Sequence, residues 1–306
     1  MTNPSNKTLA LNLLRGAVPE RAHEFSNLWD QYNHDVEVIS DSKNVTMNAT
    51  SKRIQFSTKT IDIFWLYGFS FWHAIEVYSP ALLMTTAFHI PLEQGLNCDE
   101  ERGQYEFDFM QRLNVAHSLI SAENTSAITW PTDIPKPTSD RDGLGKDQHK
   151  AAFDLVALAF SFALLHEFEH VKYRVDNSAP PASPEEELAC DVNARAYMTR
   201  TLAEYARDHG HSFEEVSQKR AMGIALGAVI IHCITPAGAH FGNDEYPPLP
   251  ERMCAMIKDY SLSSDSSFWT VAACFLIALM RQQNRPLDIV ANSNQEIVNI
   301  LLERLS

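Results

Sequence analysis

The pattern of apolar and polar positions changes character twice along the chain. Residues 17–34 mix charges with scattered apolar positions, as on a surface helix. Three short β-prone stretches follow at 36–40, 45–49 and 53–58, with turn signals at 41–44 and 50–52 between them. They predict a small antiparallel meander. Residues 61–78 carry Phe64, Trp65, Tyr67, Phe69, Phe71, Trp72 and Tyr78, a density that reads as a buried helix. Pro80 predicts its end, because proline disfavours helix in the residue before it. Residues 100–120 predict another helix. Pro131, Pro135, Pro137, Gly143 and Gly145 mark 124–145 as a loop, long enough to cover or gate something.

From Lys146 onward the period is helical, at about 147–173, 184–208, 213–235, 249–260, 266–282 and 293–304. Ser183-Pro184-Glu185-Glu186 and Ser212–Glu215 read as capping boxes, the first with proline at the first helical position. The fold class is α+β and mostly α. An N-terminal part (1–123) carries the small antiparallel sheet, 124–145 is the loop, and 146–306 is the helical part. The three are expected to form one compact unit.

Composition narrows the function classes. The chain has 306 residues, 45% hydrophobic and 21% charged, which excludes global disorder. Its net charge of −14 argues against nucleic acid or an anionic membrane as partner. The apolar runs Ile63–Ile75, Leu155–Leu165 and Phe268–Met280 fall short of the ~18 residues of a span. No signal-peptide pattern opens the chain. Five cysteines without a CxxC pair suit reduced thiols, so a cytoplasmic protein is expected. A metal site here must be built from histidine and carboxylate, the catalytic rather than the structural style of zinc binding.

Such residues occur together. His166-Glu167-Phe168-Glu169-His170 is an HExxH motif at the end of an apolar helix. On a helix His166 and His170 lie one turn apart on one face, so both imidazoles can reach a single Zn2+. Glu167 is placed to act as base on a water at that metal. The next helix offers Glu185, Glu186, Glu187 and Asp191. The helix macrodipole accounts for Glu185 and Glu186 near the helix start. Glu187 suits a third ligand. Asp191, one turn on, suits a carboxylate that accepts the other ring N–H of His166 or His170.

HExxH followed by Glu-x-x-x-Asp on the next helix resembles the gluzincin metallopeptidases. More narrowly, the chain resembles the Lit phage-exclusion peptidase family. The resemblance rests on Arg53–Thr58 running into Phe64-Trp65 and Phe71-Trp72, on Pro135-Lys136-Pro137, on the two site motifs, and on Lys219–Ala225. It implies a zincin-like helical core with Zn2+ held by His166, His170 and Glu187, Glu167 as base, and Asp191 behind the ligands. It also implies an intracellular protein substrate, elongation factor Tu, and allows a peptide or phage-derived activator. Gluzincins carry a His-Pro pair followed by an arginine after the long helix. Here the segment reads Tyr246-Pro247-Pro248-Leu249-Pro250-Glu251-Arg252, with tyrosine in place of the histidine. The donor to the oxyanion is then Tyr246, His240 or Arg252. His232, inside an apolar helix, reads as a core histidine. Two rivals stand beside a metallopeptidase: a zinc-binding interaction protein without catalysis, and a metal-free helical binding module built on 61–78.

Overall fold

The computed structural model describes residues 5–41, 43–98, 100–258, 260 and 262–305, with side chains for all of these except 100–102. Helices α1 (Asn6–Ala17) and α2 (Ala22–Tyr32) lead into strands β1 (Asp35–Ile39), β2 (Met47–Ala49) and β3 (Arg53–Ser57). Helices α3 (Thr58–Phe88), α4 (Leu92–Leu96) and α5 (Glu100–Ser121) follow. The C-terminal part holds α6 (Asp147–Asp176), α7 (Ser183–Thr199), α8 (Leu202–His209), α9 (Phe213–Ile234), α10 (Leu249–Ile257), α11 (Ser267–Gln282) and α12 (Asn294–Leu305). Mostly helical with a small N-terminal sheet, this is the class the pattern predicts.

The sheet differs from the expected meander. Its order is β1-β3-β2, with β2 antiparallel to β3 but β1 parallel to it. The Thr50 turn closes the β2–β3 hairpin, Thr50 N donating to Arg53 O at 2.8 Å. The longer 40–46 connection instead carries the chain across, folded by Asp41 Oδ1 accepting from the backbone of Lys43 and Asn44. Register then sets Val36 beside Ile54 and Val38 beside Phe56, one apolar stripe facing the helices.

Pro80 does not end α3, which runs eight residues beyond it. Packing on both sides offsets the lost backbone bond. Before the proline, buried Tyr78 meets Phe109 and donates to Glu106 of α5. After it, Ala81 packs on Gly95 of α4. The expected helix 184–208 is two helices, α7 and α8, broken at Arg200-Thr201, where Thr201 leaves helical geometry.

Helix α6 is the spine of the fold. Phe160 packs on Phe56 of β3 and Phe64 of α3. On another side α9 comes so close that a Cβ on Gly223 would lie 2.3 Å from Leu158 Cβ, so only glycine fits. Arg220, on the same helix, is buried and pairs with Glu20 at 2.9 Å. Buried side chains of α1, β3, α3, α6, α9, α11 and α12 belong to one contiguous cluster. Among the described helices α6 is long and apolar enough to cross a membrane, with an 18-residue window of mean hydropathy 1.6. The sequence runs considered singly fell short of that length. Of this window 72% is buried inside the protein, as in a core helix.

The 124–145 segment is pinned in several places. Trp65 Nε1 donates to Pro135 O at 2.7 Å, Arg112 pairs with Asp133, and Arg141 with Asp154.

Candidate metal centre

The HExxH residues fall in the last third of α6, where the helix is still buried on all sides. Asn177, in the left-handed conformation with φ 51°, ends α6, and its N–H returns to Tyr173 O. The chain turns back and α7 packs along the same stretch. Ala182, not Ser183, is the residue that caps α7, and no side chain closes the cap. Glu186 is therefore not a capping partner. It is free to face α6.

Two stripes of α7, each one turn long, meet the two histidines. Glu187 and Asp191 form one. Glu187 Oε2 lies 3.3 Å from His166 Nε2 and Oε1 lies 3.3 Å from His170 Nε2. Asp191 Oδ1 lies 2.9 Å from His166 Nδ1, off the axis of an ideal ring hydrogen bond. Glu186 and Cys190 form the other stripe, against His170: Glu186 Oε1 is 2.6 Å from His170 Nδ1 and Cys190 Sγ is 3.6 Å from it. Each imidazole thus has a carboxylate at Nδ1 and turns Nε2 inward. The two Nε2 atoms are 3.3 Å apart, and with one Glu187 oxygen they form a three-donor group within 4.8 Å.

The donor set fits a cation. Neutral imidazole nitrogens and a carboxylate are zinc's usual partners, and carboxylates behind the rings fix which nitrogen faces the metal. Charge points the same way: Glu167, Glu186, Glu187 and Asp191 gather at the two imidazoles, and Arg252 pairs with only two of them, Glu187 and Asp191. Burial would lower the His166 pKa, but Asp191 and Glu187 outweigh it and lift it to about 10. Burial would raise Glu187 and Asp191; histidine hydrogen bonds to the first, and Arg252 with His166 on the second, hold both below the usual carboxylate range. The pocket favours positive charge at its centre.

Glu167 is buried and forms no hydrogen bond or ion pair among the described residues. Burial raises its pKa, with Glu187 adding and the two histidines opposing. Arg252 is the most committed of the predicted residues. Its Nε and Nη2 donate to Asp191 at 2.7 and 2.8 Å, and Nη1 lies 3.4 Å from Glu187. A guanidinium spent on two carboxylates has little left for an oxyanion. His240 turns elsewhere, with Nε2 2.9 Å from Thr235 O and its ring 4.4 Å from that of His232. His232 is buried, its Nε2 3.0 Å from the Gln283 amide, and burial pushes its pKa down to about 3. Tyr246 is half-exposed, and its hydroxyl has no partner among the described residues. Its backbone is fixed by Asn243, whose Oδ1 accepts from Tyr246 N at 2.8 Å. Gly242, at φ 79°, makes that turn possible; a Cβ there would meet Pro248 N at 2.8 Å. Burial and the charges of Glu187, Glu245 and Glu167 raise the tyrosine pKa and keep it a donor.

Two groups escape a reading of the sequence. Glu186 looks like one more acid in a helix start; the signal that singles it out is its spacing of four from Cys190, beside the Glu187–Asp191 pair. Glu169, inside HExxH, is buried and accepts from Lys172 and Asn193, which ties α6 to α7. A cavity of about 1010 Å3 lies between α1, β3 and the first half of α6, and no residue of the centre lines it. A smaller one of about 350 Å3 lies at the starts of α7 and α10, with Tyr246 in its wall.

No curated protein and no solved structure matches the chain significantly. The Peptidase U49 family model matches residues 54–272, a span that takes in α3, both site motifs, Tyr246, Arg252 and all but the first residue of β3. A match over most of the chain, including every group in this centre, makes it a member of the Peptidase U49 family, and so a peptidase acting on protein.

Proposed function

We propose that the chain is a zinc-dependent endopeptidase of the gluzincin kind. One observation carries the reading: two imidazole Nε2 atoms and a glutamate converge within 4.8 Å beside a buried glutamate that has no partner of its own. His166, His170 and Glu187 would hold Zn2+, which supplies a Lewis acid and brings the pKa of a water toward ~7.

The chain's own groups do the rest. Glu167 takes the proton of the attacking water and passes it to the leaving amine. A buried carboxylate with a raised pKa is suited to both halves of that transfer. Tyr246, with an uncommitted hydroxyl, donates to the carbonyl oxygen as it gains negative charge. Asp191 and Glu186 keep the two imidazoles turned inward, and Arg252 holds Asp191 and Glu187 in place. The substrate is an intracellular protein met in the cytoplasm. The motif resemblance to the Lit peptidases favours elongation factor Tu, with a phage-derived peptide as activator.

The decisive experiment is Glu167→Gln in cells. Wild type should generate new protein N-termini, found by terminal-peptide mass spectrometry, while Glu167→Gln keeps its zinc and generates none. Cleavage retained by that variant overturns the reading.

A further inference from the structure

The smaller cavity has a chemistry of its own. It shares two helices with the metal centre: Leu188 in its wall follows Glu187, and Glu251 precedes Arg252. Leu188, Phe241, Tyr246 and Pro247 make apolar walls, and Glu185 and Glu251 supply carboxylates. Both glutamates are exposed, and neither carboxylate forms a hydrogen bond or ion pair among the described residues. No lysine or arginine lines the space.

Two helix starts meeting at a cavity ordinarily make an anion site, because free backbone N–H groups point into it. At the start of α10 those donors are taken up within the protein, and at the start of α7 a proline removes one of them. Pro184 and Pro250 have none. Leu249 N donates to His240 O, and the N–H groups of Glu251 and Arg252 both donate to Pro248 O. Acids stand where an anion would sit. The loop that carries Tyr246 adds Asp244 and Glu245, and at Tyr246 the charges of Glu187, Glu245 and Glu167 stand against that of Arg252.

We propose that this cavity receives a lysine or arginine side chain of the protein substrate, its methylene stem along the apolar walls and its charge between Glu185 and Glu251. The proposal rests on the peptidase reading and names the residue such a substrate must carry near the scissile bond. Long cationic side chains bury their stems and keep the charge at a polar rim, which is the order of surfaces this cavity offers.

The test separates the cavity from the catalysis. Zinc-loaded Glu167→Gln protein is titrated, by ligand-detected NMR, with acetyl-Gly-Arg-Gly-amide and with the same peptide carrying citrulline, which has the stem but no charge. Arginine should bind at least ~10-fold tighter, and Glu185→Gln with Glu251→Gln should erase the difference while zinc content and Tm stay unchanged. Equal binding of the two peptides, no binding of either, or a preference that survives loss of both carboxylates overturns the proposal. In parallel, wild type is given a proteome-derived peptide library. A basic residue at one fixed position beside the cleaved bond, replaced by an acidic one in Glu185→Lys with Glu251→Lys, supports it; cleavage without a basic preference overturns it. Arginine-selective binding in a protein that cleaves no library peptide and generates no new N-termini in cells leaves the cavity standing and removes the zinc-peptidase reading instead.

Discussion

Two clusters of buried polar groups lie on the same α6–α7 interface, one residue apart in sequence and opposite in logic. In the first, Glu169 accepts from Lys172 at 2.8 Å and Asn193 at 3.2 Å, while Lys172 also meets Tyr197 and Asn193 meets Tyr173. Arg21 lies over the Tyr197 ring at 4.6 Å. Each charge has its answer within the protein. In the second, around His166 and His170, carboxylates outnumber the one arginine and the inner ring nitrogens face each other. A network that closes on itself holds helices together; a network left short of positive charge holds something else. Burial alone therefore does not identify a site. The balance of charge does.

The comparison can be broken at four strengths. The strongest blow falls on Glu167 and Glu187. Glu167→Gln should lower proteolysis by about 10³-fold with metal retained, and Glu187→Ala should bring zinc per chain from about one to near zero, both read by peptide cleavage and elemental analysis. Full zinc in Glu187→Ala would remove it as a ligand. Next comes the closed cluster: Glu169→Ala strands the charge of half-buried Lys172 and should cost about 2–3 kcal/mol in urea unfolding, with zinc stoichiometry unchanged. Loss of zinc in that variant would merge the two clusters into one. Glu186→Gln should weaken zinc about 10–100-fold in chelator competition, the usual effect of a partner behind a ligand. If Glu186 were only a helix-start acid, affinity would not move.

The mildest test uses His34, a third buried histidine near the motif. Its ring lies against Trp29 and Phe168 with neither nitrogen hydrogen-bonded, and burial, helped by Lys7 and opposed by Asp35, lowers its pKa to about 4. The unfolded chain takes up that proton first as pH falls below the ordinary 6.5, so stability should drop between 6.5 and about 4. His34→Phe should flatten that slope by roughly 1–3 kcal/mol. An unchanged slope would mean that His34 is not neutral in the folded protein. His166 and His34 are both buried, and only their neighbours send them in opposite directions.

Much of this was legible in the residues. The spacing of His166 and His170 on an apolar helix, and the Glu187–Asp191 pair on the next, follow from helix periodicity. Helix starts with strong chemistry, such as Ser212, were readable too, its hydroxyl accepting from Glu215 N. What escaped depends on partners far along the chain. The direction of β1 is decided by where a seven-residue connection lands. Pro80 stays inside α3 because α4 and α5 pack on either side of it. Glu186 faces His170 only because the cap of α7 falls one residue before the expected serine. Arg252 reads as an oxyanion donor until Asp191 is found across a gap of 61 residues.

That gap also sets a schedule. A ribosome makes His166, Glu167, His170, Glu187 and Asp191 well before it reaches Arg252, and the cavity beside them needs Tyr246 and Glu251 as well. A nascent or prematurely ended chain therefore carries the proposed ligands without the cation that pairs with Asp191 and Glu187, and without Tyr246. On the proposed mechanism, protein-cutting competence is deferred until synthesis has passed residue 252, and fragments released earlier should be poor proteases.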